Sequence, residues 1–203
     1  MKQKDEPLLF GTKGERTQLK ILDAAILSVA KNGFESTTVT TIAEIAKVNR
    51  GLIVHYFKNM RNLMKATYDK VVSFAIEYST EFMASHLEIE DPIERYFHST
   101  FGWMQKKPHY GQFIFILITR AQYHKDSQKP VTQIFTSGRA RLEKLINEGV
   151  TSGRYVTETP VQNAYQIHSM MLGHLLIFIL KQDDIETPRS LSIAYAKMHL
   201  KMK

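Results

Sequence analysis

An all-α fold of about nine helices is predicted for this chain from three observations. Apolar residues recur at helical spacing along most of its length. Sustained period-2 alternation, the mark of a half-buried strand, is missing. Prolines and an Asn-Gly pair punctuate the periodic segments at intervals suited to helix ends.

The first helix is expected over residues 15–32, with Ile21, Leu22, Ala25, Ile26 and Val29 on one face. Asn32-Gly33 ends it, since glycine enters the left-handed C′ conformation without a Cβ clash, and Phe34 folds back beneath it. Two short helices follow at 39–46 and 50–57, then a long fourth at 60–87. Asp91 caps and Pro92 opens a fifth, because the missing N–H of proline is no loss in a first turn. Lys107-Pro108 breaks the chain, and a sixth helix is expected over 109–124. Pro130 is read as opening a seventh, to Gly149; Pro160 as opening an eighth, to Gln182; and Pro188 as opening a short ninth. A domain boundary is placed at the start of the fourth helix. Residues 1–60 then form an N-terminal arm and helix-turn-helix domain, and residues 61–203 a second helical domain.

With 203 residues, 43% of them apolar, the chain can bury a sizeable core. It contains no cysteine, which excludes a disulfide framework, a thiolate nucleophile and a thiolate zinc site, and fits a reducing compartment. Residues 1–17 hold no apolar segment of signal-peptide length. No run reaches 18 apolar residues, and the strongest, 169–180, contains His174. A soluble, cytoplasmic protein is expected. The net charge of +7 is unevenly placed: residues 1–70 hold 12 Lys/Arg against 7 Asp/Glu, and residues 71–203 hold 15 against 13. A basic N-terminal third suits phosphate binding, because neutralised phosphates release condensed counterions. A solvated basic surface would show the same charge.

Residues 37–57, TTVTTIAEIAKVNRGLIVHYF, read as two short helices joined by a tight turn, the outline of a helix-turn-helix DNA reader. Thr38 is placed as N-cap. Ile42, Ala43 and Ala46 face inward, the alanines permitting a close helix crossing. Lys47-Val48-Asn49 forms the turn; Val48 fills the angle between the helices and Asn49 caps the second of them. Gly51 lets backbone approach DNA. Ile53 and Phe57, four apart, bury together and leave Arg50, Leu52, His55 and Tyr56 directed partly outward. Arg50 is the expected base reader, since its fork can take guanine O6 and N7 together. His55, Tyr56 and Lys58 are expected on phosphates, helped by the positive helix N-termini. With Thr38, Thr40, Asn49, Gly51, Leu52 and Arg61, these residues make up the expected DNA-contact set.

This stretch and the helix before it resemble the tetracycline-repressor (TetR) family of bacterial regulators. The matching residues are 21–25 (ILDAA), 32–34 (NGF), 37–39 (TTV), 42–46 (IAEIA), Val48, Gly51, 55–57 (HYF) and Leu63. The resemblance covers about 50 residues closely and the remainder only in helix order and length. It implies a glycine where this chain has Lys47, an aromatic at Val54, a lysine at Met60, and a carboxylate at Thr41 that would complete a capping box. The box is therefore expected to be incomplete here, with Lys58 or Arg61 taking the place of the missing lysine. The resemblance also implies a homodimer and a small-molecule effector, with helices eight and nine pairing as a four-helix bundle.

Tyr165, His168, Met171, Leu172, Leu175, Leu176, Phe178 and Ile179 cover more than one face of helix eight, more apolar surface than a simple surface helix needs, which suggests full burial or an interface; Tyr165, Leu172, Leu175, Leu176 and Ile179 are assigned to that interface. Phe101, Trp103, Met104, Phe113, Leu117, Phe135, His168 and Met171 either line a ligand pocket or fill the core. His168 and His174 stand six apart, off the spacing that puts two ligands on one helix face, so no metal and no cofactor are expected. Glu88, Glu90, Asp91 and Glu94 surround a helix start, where carboxylates suit the dipole, so no catalytic constellation is assigned. The expected function is a DNA-binding transcriptional regulator, a ligand-responsive repressor of a pseudo-palindromic operator. The alternatives are a regulator without a small-molecule effector and a helical-bundle enzyme.

Overall fold

A computed structural model describes residues 12–181 and 184–201. The arm up to residue 11, and Gln182 at the expected end of the eighth helix, lie outside the described residues. Nine α-helices and no β-strand are found among the described residues: α1 (Lys13–Asn32), α2 (Val39–Ala46), α3 (Arg50–Phe57), α4 (Met60–Ser85), α5 (Pro92–Lys106), α6 (Pro108–Arg120), α7 (Lys125–Thr151), α8 (Pro160–Lys181) and α9 (Glu186–Leu200). No helix among them is long and apolar enough to cross a membrane.

Two of the proline readings need correction. Pro130 lies inside α7, which starts at Lys125. The α7 start is held by Arg120, whose Nη1 donates to Asp126 Oδ1 at 2.6 Å and also to Ser127 Oγ. Pro130 therefore sits one turn in, at the cost of one backbone hydrogen bond. Pro188 lies two residues inside α9, in the first turn, where amides have no intrahelical acceptor. α6 stops at Arg120 and is followed by a turn rather than running to residue 124.

The chain divides into two compact units between Val72 and Ser73, inside α4. In the first unit, α1, α2, α3 and the start of α4 close around Ile21, Ala25, Ile42, Ile53 and Leu63, each 0–2% exposed. Ala43 and Ala46 allow α2 to lie close against α1. The Leu63 side chain belongs to this core, so the first turns of α4 pack with the reader rather than beginning a separate body. Lys70 Nζ pairs with Asp23 Oδ1 at 2.7 Å and donates to the Leu19 carbonyl at 3.2 Å, tying α4 to α1. Buried Ser28 and Thr37 share a hydrogen bond of 3.0 Å that anchors the α1–α2 loop. Gly33 begins that loop at φ +77°, a conformation that strains a residue with Cβ.

In the second unit, α7 packs on α8, α8 on α9, and α5 on α9. Phe97, Phe101, Phe113, Leu142, Ile167 and Met171 fill its core. Asp91 Oδ1 accepts from the amides of Ile93 and Glu94 and from the Tyr155 hydroxyl at 3.0 Å. Burial and the neighbouring Asp91 carboxylate push the Tyr155 phenol far above its usual range. Its ring lies against Gly149, where a Cβ would stand 2.0 Å from a ring carbon, so only glycine fits there. The Val156 amide donates to the Leu200 carbonyl at 2.9 Å, closing the last turn of α9 onto the α7–α8 loop.

Candidate nucleic-acid interface

The α2–α3 pair is built largely by hydroxyl and amide caps. The Thr38 amide donates to Thr41 Oγ1 at 2.9 Å, and the Thr41 amide donates to Thr38 Oγ1 at 3.1 Å. The capping box is thus complete, a correction to the sequence reading: the Thr41 hydroxyl takes the part assigned to a carboxylate, without its charge. α2 ends in a closure in which the Val48 amide donates to the Ala43 carbonyl at 3.0 Å. This places Lys47 at φ 51°, ψ 49°, the left-handed conformation, which costs a lysine roughly 1 kcal/mol relative to glycine. Asn49 caps α3, its Oδ1 accepting from the Gly51 amide at 2.7 Å. A Cβ on Gly51 would come within 3.2 Å of that oxygen, so the glycine also makes room for the cap. Lys58 closes α3 with a second positive φ, 68°, and Asn59 Oδ1 accepts from the Asn62 amide at 2.9 Å at the start of α4.

These caps sort the expected contact residues. Arg50 is exposed in the first turn of α3, and its Nη1 donates to Thr40 Oγ1 at 3.4 Å, so the two helices present Arg50 and Thr40 together. Leu52, His55, Lys58 and Arg61 are also exposed. Lys47, Arg50, Lys58 and Arg61 take part in no ion pair among the described residues, whereas Lys65 and Lys70 are paired with Asp69 and Asp23. An unpaired cationic rim of this kind can bind phosphate without first giving up an internal partner.

Thr38 and Asn49 commit their side-chain oxygens to caps. Tyr56 is half-buried against the reader core and edge-on to His55, with its hydroxyl beside Gly14 at the start of α1. That start lies at Lys13, with a capping box in which the Thr12 amide donates to Glu15 Oε2 at 2.6 Å and the Glu15 amide donates to Thr12 Oγ1 at 3.2 Å. Sequence reasoning missed it, although Thr12-x-x-Glu15 carries the spacing of such a box. Val54, at the position where the family resemblance implied an aromatic, is 51% exposed.

The residues expected to line a pocket are dispersed through the core of the second unit. Phe101, Trp103, Met104, Phe113, Leu117 and Met171 are all buried. His168 is buried beside Phe135, over Gly138, where a Cβ would stand 2.5 Å from its Nε2. Burial, reinforced by Arg139, lowers the His168 pKa to about 4. A groove of about 490 Å³ opens elsewhere in this unit, between α4, α5 and α7. Of the residues assigned to a dimer interface, Leu175 and Ile179 are buried within the unit, Leu172 is half-buried, and Tyr165 and Leu176 are exposed. Val161 and Leu180 of α8 and Leu191 and Met198 of α9 are exposed as well, each by more than half.

The family model of the bacterial regulatory proteins, tetR family, matches residues 21–67 of the chain. The fatty acid metabolism regulator protein of Bacillus subtilis (strain 168) is 22% identical over 152 residues, 73% of this chain and 76% of that protein. The HTH-type transcriptional regulator TtgR of Pseudomonas putida is 30% identical over 82 residues, 40% of this chain and 37% of that protein. Among solved structures, a TetR transcription regulator from Haloarcula marismortui superimposes with a TM-score of 0.78 at 16% identity, over 92% of this chain and 99% of that chain.

Proposed function

Because this chain belongs to the TetR family of bacterial regulators and is a DNA-binding transcriptional regulator, we propose that it works as a homodimeric, ligand-responsive repressor in which Arg50 reads bases. The observation that carries the reading is the exposed, unpaired Arg50 in the first turn of α3, set beside Thr40 and flanked by Lys47, Lys58 and Arg61. In a helix-turn-helix the N-terminal residues of the second helix reach base edges, and cations around it hold phosphates.

Two copies would place two α3 helices on half-sites about 34–36 Å apart, or a multiple of that. A surface for the second copy is supplied by Val161, Tyr165, Leu176 and Leu180, which follow one another on one face of α8, with Leu191 and Met198 on α9. Apolar side chains left this exposed in a row favour burial by a partner. The Bacillus subtilis relative is named for fatty acid metabolism, and a metabolite input suits a second unit with a groove among α4, α5 and α7. α4 runs through the boundary between the units, so a ligand that prefers one placement of α4 would shift the population of DNA-binding dimers.

Selection of bound DNA from a random pool tests the reading. A palindromic consensus is expected; recovery of no sequence preference sinks it. Arg50→Ala should weaken the selected site by roughly 1–3 kcal/mol and relax one base position. Lys58→Ala should weaken all sequences alike and flatten the salt dependence. A changed base preference with an unchanged salt slope in Lys58→Ala would reverse the two roles.

A further inference from the structure

From Val72 to Ser85 no residue of α4 is buried, although Phe74, Ile76, Tyr78, Phe82 and Met83 lie in this stretch. Two faces divide these side chains. Phe74, Tyr78, Phe82 and His86, four apart, form one row with ring-centroid spacings of 6.2, 6.1 and 3.8 Å. Ile76, Ser79, Thr80 and Met83 form another row at i, i+3, i+4 and i+7, and this row is one wall of the groove of about 490 Å³.

The opposite wall repeats the spacing on α7, with Arg141, Lys144, Leu145 and Glu148, and buried Tyr96 of α5 also lines the groove. The volume lies within the range of small-molecule sites. The α4 wall is aliphatic and narrow-sided, with small hydroxyl residues between Ile76 and Met83, and the aromatic row that would stack a planar ligand lies on another face. At the polar edge Glu148 faces Lys144, with Oε1 and Nζ 3.8 Å apart. Arg141 is exposed and has no ion-pair partner among the described residues. The groove therefore joins an uncovered aliphatic wall to one unpaired guanidinium, whose planar fork matches a carboxylate at two points.

We propose that this groove binds a long-chain aliphatic carboxylate, with its chain along Ile76, Met83 and Leu145 and its head group on Arg141. The proposal rests on the ligand-responsive reading above and names its effector class.

Isothermal titration of the full-length protein with laurate, 1-dodecanol and dodecylamine, all below their aggregation limits, tests it directly. Laurate is expected to bind tightest and dodecylamine weakest. Arg141→Gln should weaken laurate roughly 10- to 100-fold, the loss of a charge-assisted pair, while leaving dodecanol unchanged. Ser79→Trp, checked for an intact helical spectrum, should fill the groove and abolish binding of both. Equal binding of laurate and dodecanol, or of laurate to the parent and Arg141→Gln proteins, overturns the proposal. Operator affinity measured with and without laurate separates it from its premise. Laurate that binds through Arg141 but leaves operator affinity unchanged supports the site and refutes the ligand-responsive reading. A different effector that releases operator regardless of Arg141 and Ser79, with no laurate binding, keeps that reading and refutes this site.

Discussion

The two units expose apolar side chains to different ends. Among the described residues of the first unit the large apolar residues left exposed are Ile45, Leu52 and Val54, all on the two reader helices, within a rim of unpaired cations. Among the described residues of the second unit they are more numerous, and most lie along α8 and α9. The reader carries charge over a closed core, a surface suited to a polyanion. The second unit leaves apolar surface uncovered, suited to a greasy ligand and another protein chain. On the function proposed above, incomplete burial would mark the working surface in both, and the chemistry of what is left exposed would distinguish the partners.

The largest expected effect would break the closed core of the reader. Leu63→Ala removes a side chain with no exposed surface and should cost about 2–5 kcal/mol, read by chemical denaturation. If the loss falls well below 2 kcal/mol, the start of α4 is not part of that core.

A second test uses a histidine, His168, buried in the second unit. Buried polar residues of the reader are the hydroxyls of Ser28, Thr37 and Thr67, whereas the second unit buries His168. Its folded pKa, about 4, lies below the ordinary 6.5, so the unfolded chain binds more protons between these values. The stabilisation by neutral His168 is complete above about pH 6.5, is lost as pH falls toward 4, and changes no further below that. The span is on the order of 3 kcal/mol. Thermal unfolding from pH 7.5 to 4.5 should show this slope, and His168→Gln should reduce it, leaving the smaller share of His98 and His174, whose pKa values burial also lowers; an unchanged slope assigns the titration elsewhere.

Smaller effects sharpen the account of the reader. Thr41→Val keeps the shape but removes the hydroxyl that completes the α2 cap, and should cost about 1 kcal/mol. Lys47→Gly relieves the left-handed strain and should gain up to about 1 kcal/mol of stability while weakening DNA binding through the lost charge. A Lys47→Gly protein that binds DNA as tightly as its parent would remove Lys47 from the cationic rim.

Much of the reader was legible because short-range rules govern it. Gly33, Asn49, the Ile53–Phe57 pair and the inward alanines each follow from local geometry that one sequence displays. The completed cap on α2 was missed because Thr41 performs a familiar job with an unfamiliar side chain. In the second unit, Pro130 misled because a proline inside a helix is tolerated when the preceding turn is held from outside, as Arg120 holds it. Of the residues read as pocket or core, Phe101, Trp103 and Phe113 are buried in the second unit, while the groove in that unit is lined by two i, i+3, i+4, i+7 rows on helices far apart in sequence. Nothing local marks Ile76 and Leu145 as neighbours of one cleft. The same holds for Leu175 and Ile179, whose inward placement depends on which face of α8 its neighbours cover.

The hydrogen bond from the Val156 amide to the Leu200 carbonyl makes the α7–α8 loop depend on the end of α9. A clip after Met198 would remove Leu200, which is 1% exposed, and strip the Val156 amide of its acceptor. The loop freed in this way carries Tyr155, whose hydroxyl helps to hold Asp91 at the start of α5. Loss of a few terminal residues would therefore be felt at a helix begun more than a hundred positions earlier.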